Sequence, residues 1–217
     1  MLYRDRAQAG RLLARKLAPY AGRDDVVVLA LPRGGVPVGF EVAEALGAPL
    51  DVFVVRKLGV PGQEELAMGA VASGGIVVVN SEVVAACGVS GREVERVAEA
   101  ERAELARRER LYRGAQPPLE LSGKVVVLVD DGLATGSSMR AAVEALRPQS
   151  PARVVVAVPV APRSSPREFE TIADEIVCGA TPQPFNAVGE WYENFLQVGD
   201  EEVQDLLRRA SRVPIRP

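Results

Sequence analysis

Asp130 and Asp131 stand side by side at the end of the apolar run VVLV, and a string of small and hydroxylated residues follows them: Gly132, Leu133, Ala134, Thr135, Gly136, Ser137 and Ser138. Adjacent carboxylates repel each other. In a plain strand-turn-helix connection that repulsion would bring no return. At the carboxyl end of a buried strand, where open α/β sheets collect their ligands, the pair is a candidate binding group. The residues behind it suit an anion. Glycines let the backbone come close, and N–H groups and hydroxyls at a helix start converge on one concavity, which is how a phosphate dianion is held. The loop is not a Walker A sequence, because Ser137 follows Gly136 where that pattern needs a lysine. Nor does it carry the glycine spacing of a dinucleotide fingerprint.

A second constellation, LPRGG at residues 31–35, ends an earlier apolar run. If both runs are strands of one sheet, Arg33 projects at the same edge as the acidic pair. Gly34 and Gly35 then let the backbone itself approach an anion. A simple turn before a helix is the other reading of PRGG. Arg56 and Lys57, at the end of the next apolar run, either add charge to that pocket or are solvated on the surface.

Composition narrows the chemistry. The 217 residues contain no histidine, which excludes a Ser-His-Asp triad, a Cys-His pair and histidine-based zinc sites. Cys87 and Cys178 lie far apart within apolar runs and are expected to be buried, inert thiols. A net charge of −3 leaves no basic footprint for nucleic acid. No apolar stretch reaches the roughly 18 residues of a membrane span, and the N-terminus lacks the apolar core of a signal peptide. A cytoplasmic protein with no membrane partner is the expectation.

Periodicity supplies the elements that must position these groups. Residues 5–20 place Leu12, Leu13 and Leu17 at helical spacing behind an Asp5 cap. A strand over 26–30, a helix over 36–46 ending at Gly47 and a strand over 51–55 make one β-α-β unit, for which a parallel sheet is expected. Residues 58–66, LGVPGQEEL, read as a loop containing Glu64 and Glu65, leading into a hairpin of AMGAVA and IVVVN. Ser90 and Glu93 form a capping-box pattern at the head of a charge-rich helix with a solvated face, ending at Gly114. A strand over 124–130, a helix over 138–146 and a strand over 154–160 make a second β-α-β unit. A helix over 166–173 and a strand near 175–178 follow. One doubly wound, mostly parallel α/β domain spanning 1–217 is expected, with a small hood from about 1–20 and 180–217 and a lid or hairpin insertion at about 58–80.

The run VVLVDDGLATGSSM resembles the motif that binds 5-phosphoribosyl-1-pyrophosphate (PRPP) in type I phosphoribosyltransferases. LPRGGVPVG is similar to the pyrophosphate loop of that family, above all in bacterial xanthine-guanine phosphoribosyltransferases. The resemblance implies that Asp130 and Asp131 hold the ribose 2′- and 3′-hydroxyls and that residues 134–138 hold the 5′-phosphate. It further implies Arg33, Gly34, Gly35 and Lys57 at the pyrophosphate, a cis bond at Pro32–Arg33, and Mg²⁺ carried mainly by PRPP near the acidic pair. The activity implied is Mg²⁺-dependent transfer of ribose 5-phosphate to a nucleobase or similar nitrogen acceptor, as in nucleotide salvage, with a flexible lid and, by analogy, a homodimer.

Two departures leave the acceptor open. Ala134 stands where many 6-oxopurine enzymes carry an aspartate near the base N7, and VVVAVPVAP lacks the lysine those enzymes use against O6. Trp191 and Phe185, with Tyr192 and Phe195, are candidates for stacking a planar base, and equally for packing the hood on the core. Beside the transferase stand a PRPP-binding regulatory protein with weak or lost activity, and a relative acting on another phosphorylated ribose.

Overall fold

VVVLA and VVVLV are β-branched runs apolar at every position, a pattern that suits strands covered on both faces. In the computed structural model, which describes residues 1–211, they become two adjacent central strands, every residue buried. In chain order the elements are α1 (Arg6–Lys16), β1 (Val26–Ala30), α2 (Gly35–Leu46), β2 (Leu50–Val52), β3 (Val55–Val60), β4 (Gln63–Ala72), β5 (Ile76–Val79), α3 (Ser81–Ala86), α4 (Gly91–Arg113), β6 (Val125–Val129), α5 (Ser137–Leu146), β7 (Arg153–Val160), α6 (Ser165–Phe169), β8 (Glu175–Ala180) and α7 (Asp200–Ala210).

The main sheet has the order β2-β1-β6-β7-β8 and is parallel throughout. The strand order therefore reverses between β1 and β6, and a crevice opens there at the carboxyl ends. Alternate side chains divide the core in two, as the period of two along a strand requires. Val26, Val28, Val125 and Val127 pack with Leu13, Leu17, Val38 and Val42 of α1, α2 and their surroundings. Val27, Leu29, Val126 and Leu128 pack with Met139, Val143 and Leu146 of the α5 side. The Asp5 cap, the left-handed Gly47 at the end of α2 and the Ser90–Glu93 capping box are all present.

Three expectations need correction. The second strand stops at Val52, because the chain turns away there: Val54 N–H donates to Ser73 Oγ (2.9 Å) and Ser73 N–H to Val54 O (2.9 Å). Val55 thus opens a separate antiparallel sheet of order β3-β4-β5. Residues 58–66 are accordingly not an irregular loop, while the expected hairpin of AMGAVA and IVVVN is present as β4 and β5. Glu64 and Glu65 sit exposed on the solvated outer half of β4, which pairs through its backbone and so carries no apolar signal in the sequence. Cys87 is exposed at the end of α3, a short helix capped by Asn80, whereas Cys178 is half-buried on the edge strand β8; both are free thiols.

The charge-rich α4 is not solvated all round. Ala98, Leu105 and Tyr112 lie seven residues apart on one buried stripe that packs with β3, β4 and α7. α7 itself rests on α2 and α4, so the part of the expected hood near the sheet edge is the strip around Val188–Trp191 and Tyr192. Residues 212–217 of the expected hood lie outside the described residues. Residues 2–4 are stitched to 191–194: Leu2 and Tyr3 N–H donate to Trp191 O (2.9 and 3.0 Å), Glu193 N–H to Tyr3 O (2.9 Å) and Asn194 N–H to Arg4 O (2.9 Å). Among the described residues no helix is long and apolar enough to cross a membrane.

α4 is fastened to the edge strand β2 by Arg113, whose Nε lies 2.8 Å from both carboxylate oxygens of Asp51; the two side chains are 10% and 8% exposed. Removing one partner of such a pair strands the other charge away from water. Arg113→Ala is expected to lower stability by about 3–5 kcal/mol, measured by urea denaturation.

Candidate active site

The site forms where the connections leaving β1 and β6 meet. Leu31 N–H donates to Val129 O (2.9 Å), which holds the first loop against the end of β6. Pro32–Arg33 is a cis peptide, and Gly34 and Gly35 start α2. A side chain at Gly35 would meet backbone, and one at Gly34 would have to displace the Asp131 carboxylate. A Cβ at Gly34 would run into the Asp131 carboxylate, and one at Gly35 would stand 2.8 Å from Val129 O and 2.9 Å from Asp130 Cα. The PRGG backbone therefore lies directly on the acidic pair.

Asp130 Oδ1 accepts the Asp131 N–H at 2.8 Å. Asp131 is gripped from the other side. Arg6 Nε donates to its Oδ2 at 2.8 Å, and Tyr192 OH donates to its main-chain carbonyl at 2.6 Å. Burial, and then the charge of Asp131, hold the Asp130 carboxyl well above the usual carboxylate range. Burial also raises Asp131, with Arg6 opposing the rise. Burial, and then Asp131, push the Tyr192 hydroxyl up, so it remains a donor.

Behind the pair, α5 begins at a left-handed Gly136 (φ 72°), with no side-chain cap and no acidic residue in its first turn. The Ser137 N–H makes only a long contact with Thr135 Oγ1 (3.4 Å), and the N–H groups that follow it in the first turn are left for a ligand. Residues 130–139 line a hollow of about 250 Å³, and Val188 lines it as well. All the motif residues expected at a sugar phosphate, Asp130, Asp131, Gly132, Ala134, Thr135, Gly136, Ser137 and Ser138, meet in this one space. Lys57 is brought to its margin: with Thr135, Ser137 and Arg140 it lines a larger cleft, about 570 Å³, under β4 and β5.

Other expected residues are placed elsewhere. Arg33 does not join the acidic pair; its Nη1 lies 3.7 Å from Asp200 Oδ1, in a hollow shared with Arg107, Arg108 and Tyr112. The reason is α7, whose first residue, Asp200, stands across from the loop and also accepts the Tyr112 hydroxyl at 2.8 Å. Arg56 is taken by Glu101 of α4 (2.7 Å). Phe185 and Trp191 stack on each other (centroids 6.3 Å apart) within an aromatic cluster that includes Tyr3, Tyr192 and Phe195. Arg6, which grips Asp131, Val188, which lines the hollow, and Arg107 and Arg108, which share the separate hollow of Arg33, carry no signal in the sequence, since only their place in the fold distinguishes them from surface side chains.

Comparison with known proteins agrees with this geometry. Residues 2–190 match the family described as phosphoribosyl transferase domain. Rv0571c of Mycobacterium tuberculosis H37Rv and MT0597 of strain CDC 1551, both provisionally named phosphoribosyl transferases, are each 48% identical over 211 residues, 97% of this chain and 47% of theirs. The chain spans about half the length of these curated relatives. The crystal structure of TT1426 from Thermus thermophilus shares 45% identity with a TM-score of 0.85, covering 96% of this chain and 99% of that one. With its parallel sheet, acidic pair and glycine loops, the chain belongs to the phosphoribosyl transferase domain family.

Proposed function

We propose that the chain transfers ribose 5-phosphate from PRPP to a nitrogen acceptor, with release of pyrophosphate and dependence on Mg²⁺. The observation that carries this reading is the hollow at the β1/β6 reversal, where an uncapped helix N-terminus and a half-buried acidic pair meet under the PRGG backbone. The first N–H groups of α5, with Thr135, Ser137 and Ser138, receive the 5′-phosphate. Asp130 and Asp131 accept the ribose hydroxyls, whose donors also relieve the repulsion between the carboxylates. The backbone at Gly34 and Gly35, with Arg33 and Lys57, receives the pyrophosphate.

Mg²⁺ takes oxygen ligands and keeps few protein contacts when a phosphorylated substrate supplies them. The donor set fits that role. The described residues bring two carboxylates to the hollow, and no cluster of three or more metal-binding side chains lies among them. Bound to PRPP near the acidic pair, Mg²⁺ would supply neutralisation of the departing pyrophosphate charge. In the reaction the acceptor nitrogen forms its bond to ribose C1′ as the C1′–O bond to pyrophosphate breaks. The electron pair leaves with pyrophosphate, and the acceptor N–H proton passes to solvent. The chain's own groups hold the ribose and stabilise the leaving charge, so no protein nucleophile is needed and the missing histidine is no obstacle. The β3–β5 sheet is assigned as the cover that keeps water from the cationic sugar. The acceptor is assigned to the hood strip, where Trp191 and Phe185, already stacked on one another, form a wall behind it.

A second reading, a PRPP-binding regulator with weak turnover, has one observation in its favour: the Arg33 side chain is engaged by Asp200 and not by the acidic pair. Calorimetry with PRPP and Mg²⁺ followed by a panel of bases decides between them. Pyrophosphate release with one class of acceptor is expected; PRPP binding without release from any acceptor would favour the regulator. Asp131→Asn is expected to cut kcat/KM by about 10- to 100-fold, the worth of a hydrogen bond to a charged group, and near-normal turnover would refute the assignment. Gly35→Ala sets its new Cβ against backbone. It should abolish PRPP binding while the circular dichroism spectrum stays native.

A further inference from the structure

We propose that Arg6 is the positioning residue of the sugar site: it holds the Asp131 carboxylate in place and fastens the two hood segments to it. The inference rests on the reading that Asp131 meets the ribose. It is carried by three contacts that one planar guanidinium makes at once. Nε donates to Asp131 Oδ2 at 2.8 Å, Nη1 donates to Leu196 O at 2.8 Å, and the guanidinium carbon lies 3.9 Å from the centre of the Phe195 ring. A fork of fixed donors with an apolar face can make such a set, whereas the ammonium of a lysine cannot.

The surroundings leave Arg6 little freedom. Its side chain is 12% exposed and that of Asp131 is 15%, so this is not a solvated surface pair. Arg6 is the first residue of α1, and the preceding Asp5 fixes that end by accepting the Gln8 N–H at 2.7 Å. α1 in turn packs on α2, the helix that starts with the PRGG glycines. On the opposite side, Tyr192 from the same strip as Phe195 holds the Asp131 carbonyl. Asp131 is thus held by both its main chain and its side chain from the two hood segments. Arg6 engages only one carboxylate oxygen, so the other is the one a ligand would meet. Its positive charge also offsets the repulsion between Asp130 and Asp131 before any ligand arrives.

The test uses Arg6→Ala, with Arg6→Lys as the conservative variant. The chain's one tryptophan, Trp191, lies in the hood strip and reports on it by fluorescence without any ligand. In Arg6→Ala the Trp191 emission should move to the red, and the Kd for PRPP with Mg²⁺ should rise at least about tenfold, as truncating one side of a buried charge pair does. Millimolar guanidinium chloride should restore both signals, while potassium chloride at the same ionic strength should not. Arg6→Lys should restore them in part, because it returns the charge without the fork. Wild-type PRPP affinity in Arg6→Ala, or a loss that guanidinium does not repair, would overturn the inference. Should the unaltered protein bind no PRPP while the Trp191 shift and its guanidinium rescue hold, the latch stands and the ligand reading falls.

Discussion

Two carboxylates kept side by side at the end of a fully buried strand impose the constraint on which this site is built. Asp130 and Asp131 cannot move apart, because β6 is locked between β1 and β7 over all five of its residues. They have little water to screen them. Everything near the pair answers that condition: a guanidinium on one carboxylate, a tyrosine hydroxyl on the carbonyl, a main-chain N–H on Asp130, and two glycines that let a neighbouring backbone close the space. Carboxylates kept together at such a cost are characteristic of functional sites.

The reversal of strand order is what turns this electrostatic condition into a site. In a parallel sheet the connections leaving adjacent strands go to opposite faces only where the order reverses, and there the strand ends are left open. β1 and β6 are that pair of strands. One contributes a loop that starts α2 and the other a loop that starts α5, so two helix N-termini converge beside the carboxylates.

Around this centre the chain adds parts that a bare sheet would not need. The β3–β5 sheet carries Lys57 to the cleft beside Thr135 and Ser137, and α4 and α7 surround Arg33 with Arg107, Arg108, Tyr112 and Asp200. These additions rest on their own core, in which Leu58, Met68, Leu105 and Val203 pack together, and on the Asp51–Arg113 pair. The periphery is therefore a second packed unit against the sheet.

Most of the centre was legible in the residues because its signals are local. Valine runs mark strands buried on both faces, Asp5 and Ser90 mark helix starts, and the order Asp-Asp-Gly-x-x-Thr-Gly marks a strand-to-helix turn whose backbone faces an anion. Each depends on neighbours within a few positions. What only the tertiary structure decided depends on groups far apart in sequence. β4 pairs its polar outer half through the backbone, which leaves no trace in side-chain pattern, and β2 ends where Ser73, nineteen residues after Val54, turns the chain. Arg33 and Arg56 read alike as free cations until α7 and α4 bring Asp200 and Glu101 to them. Arg6 becomes part of the site because the packing of α1 brings it, across 125 residues, to Asp131. The sequence by itself determined which backbone could cradle an anion; the fold decided which charges that backbone would find beside it, because long-range partners are set by packing and not by spacing along the chain.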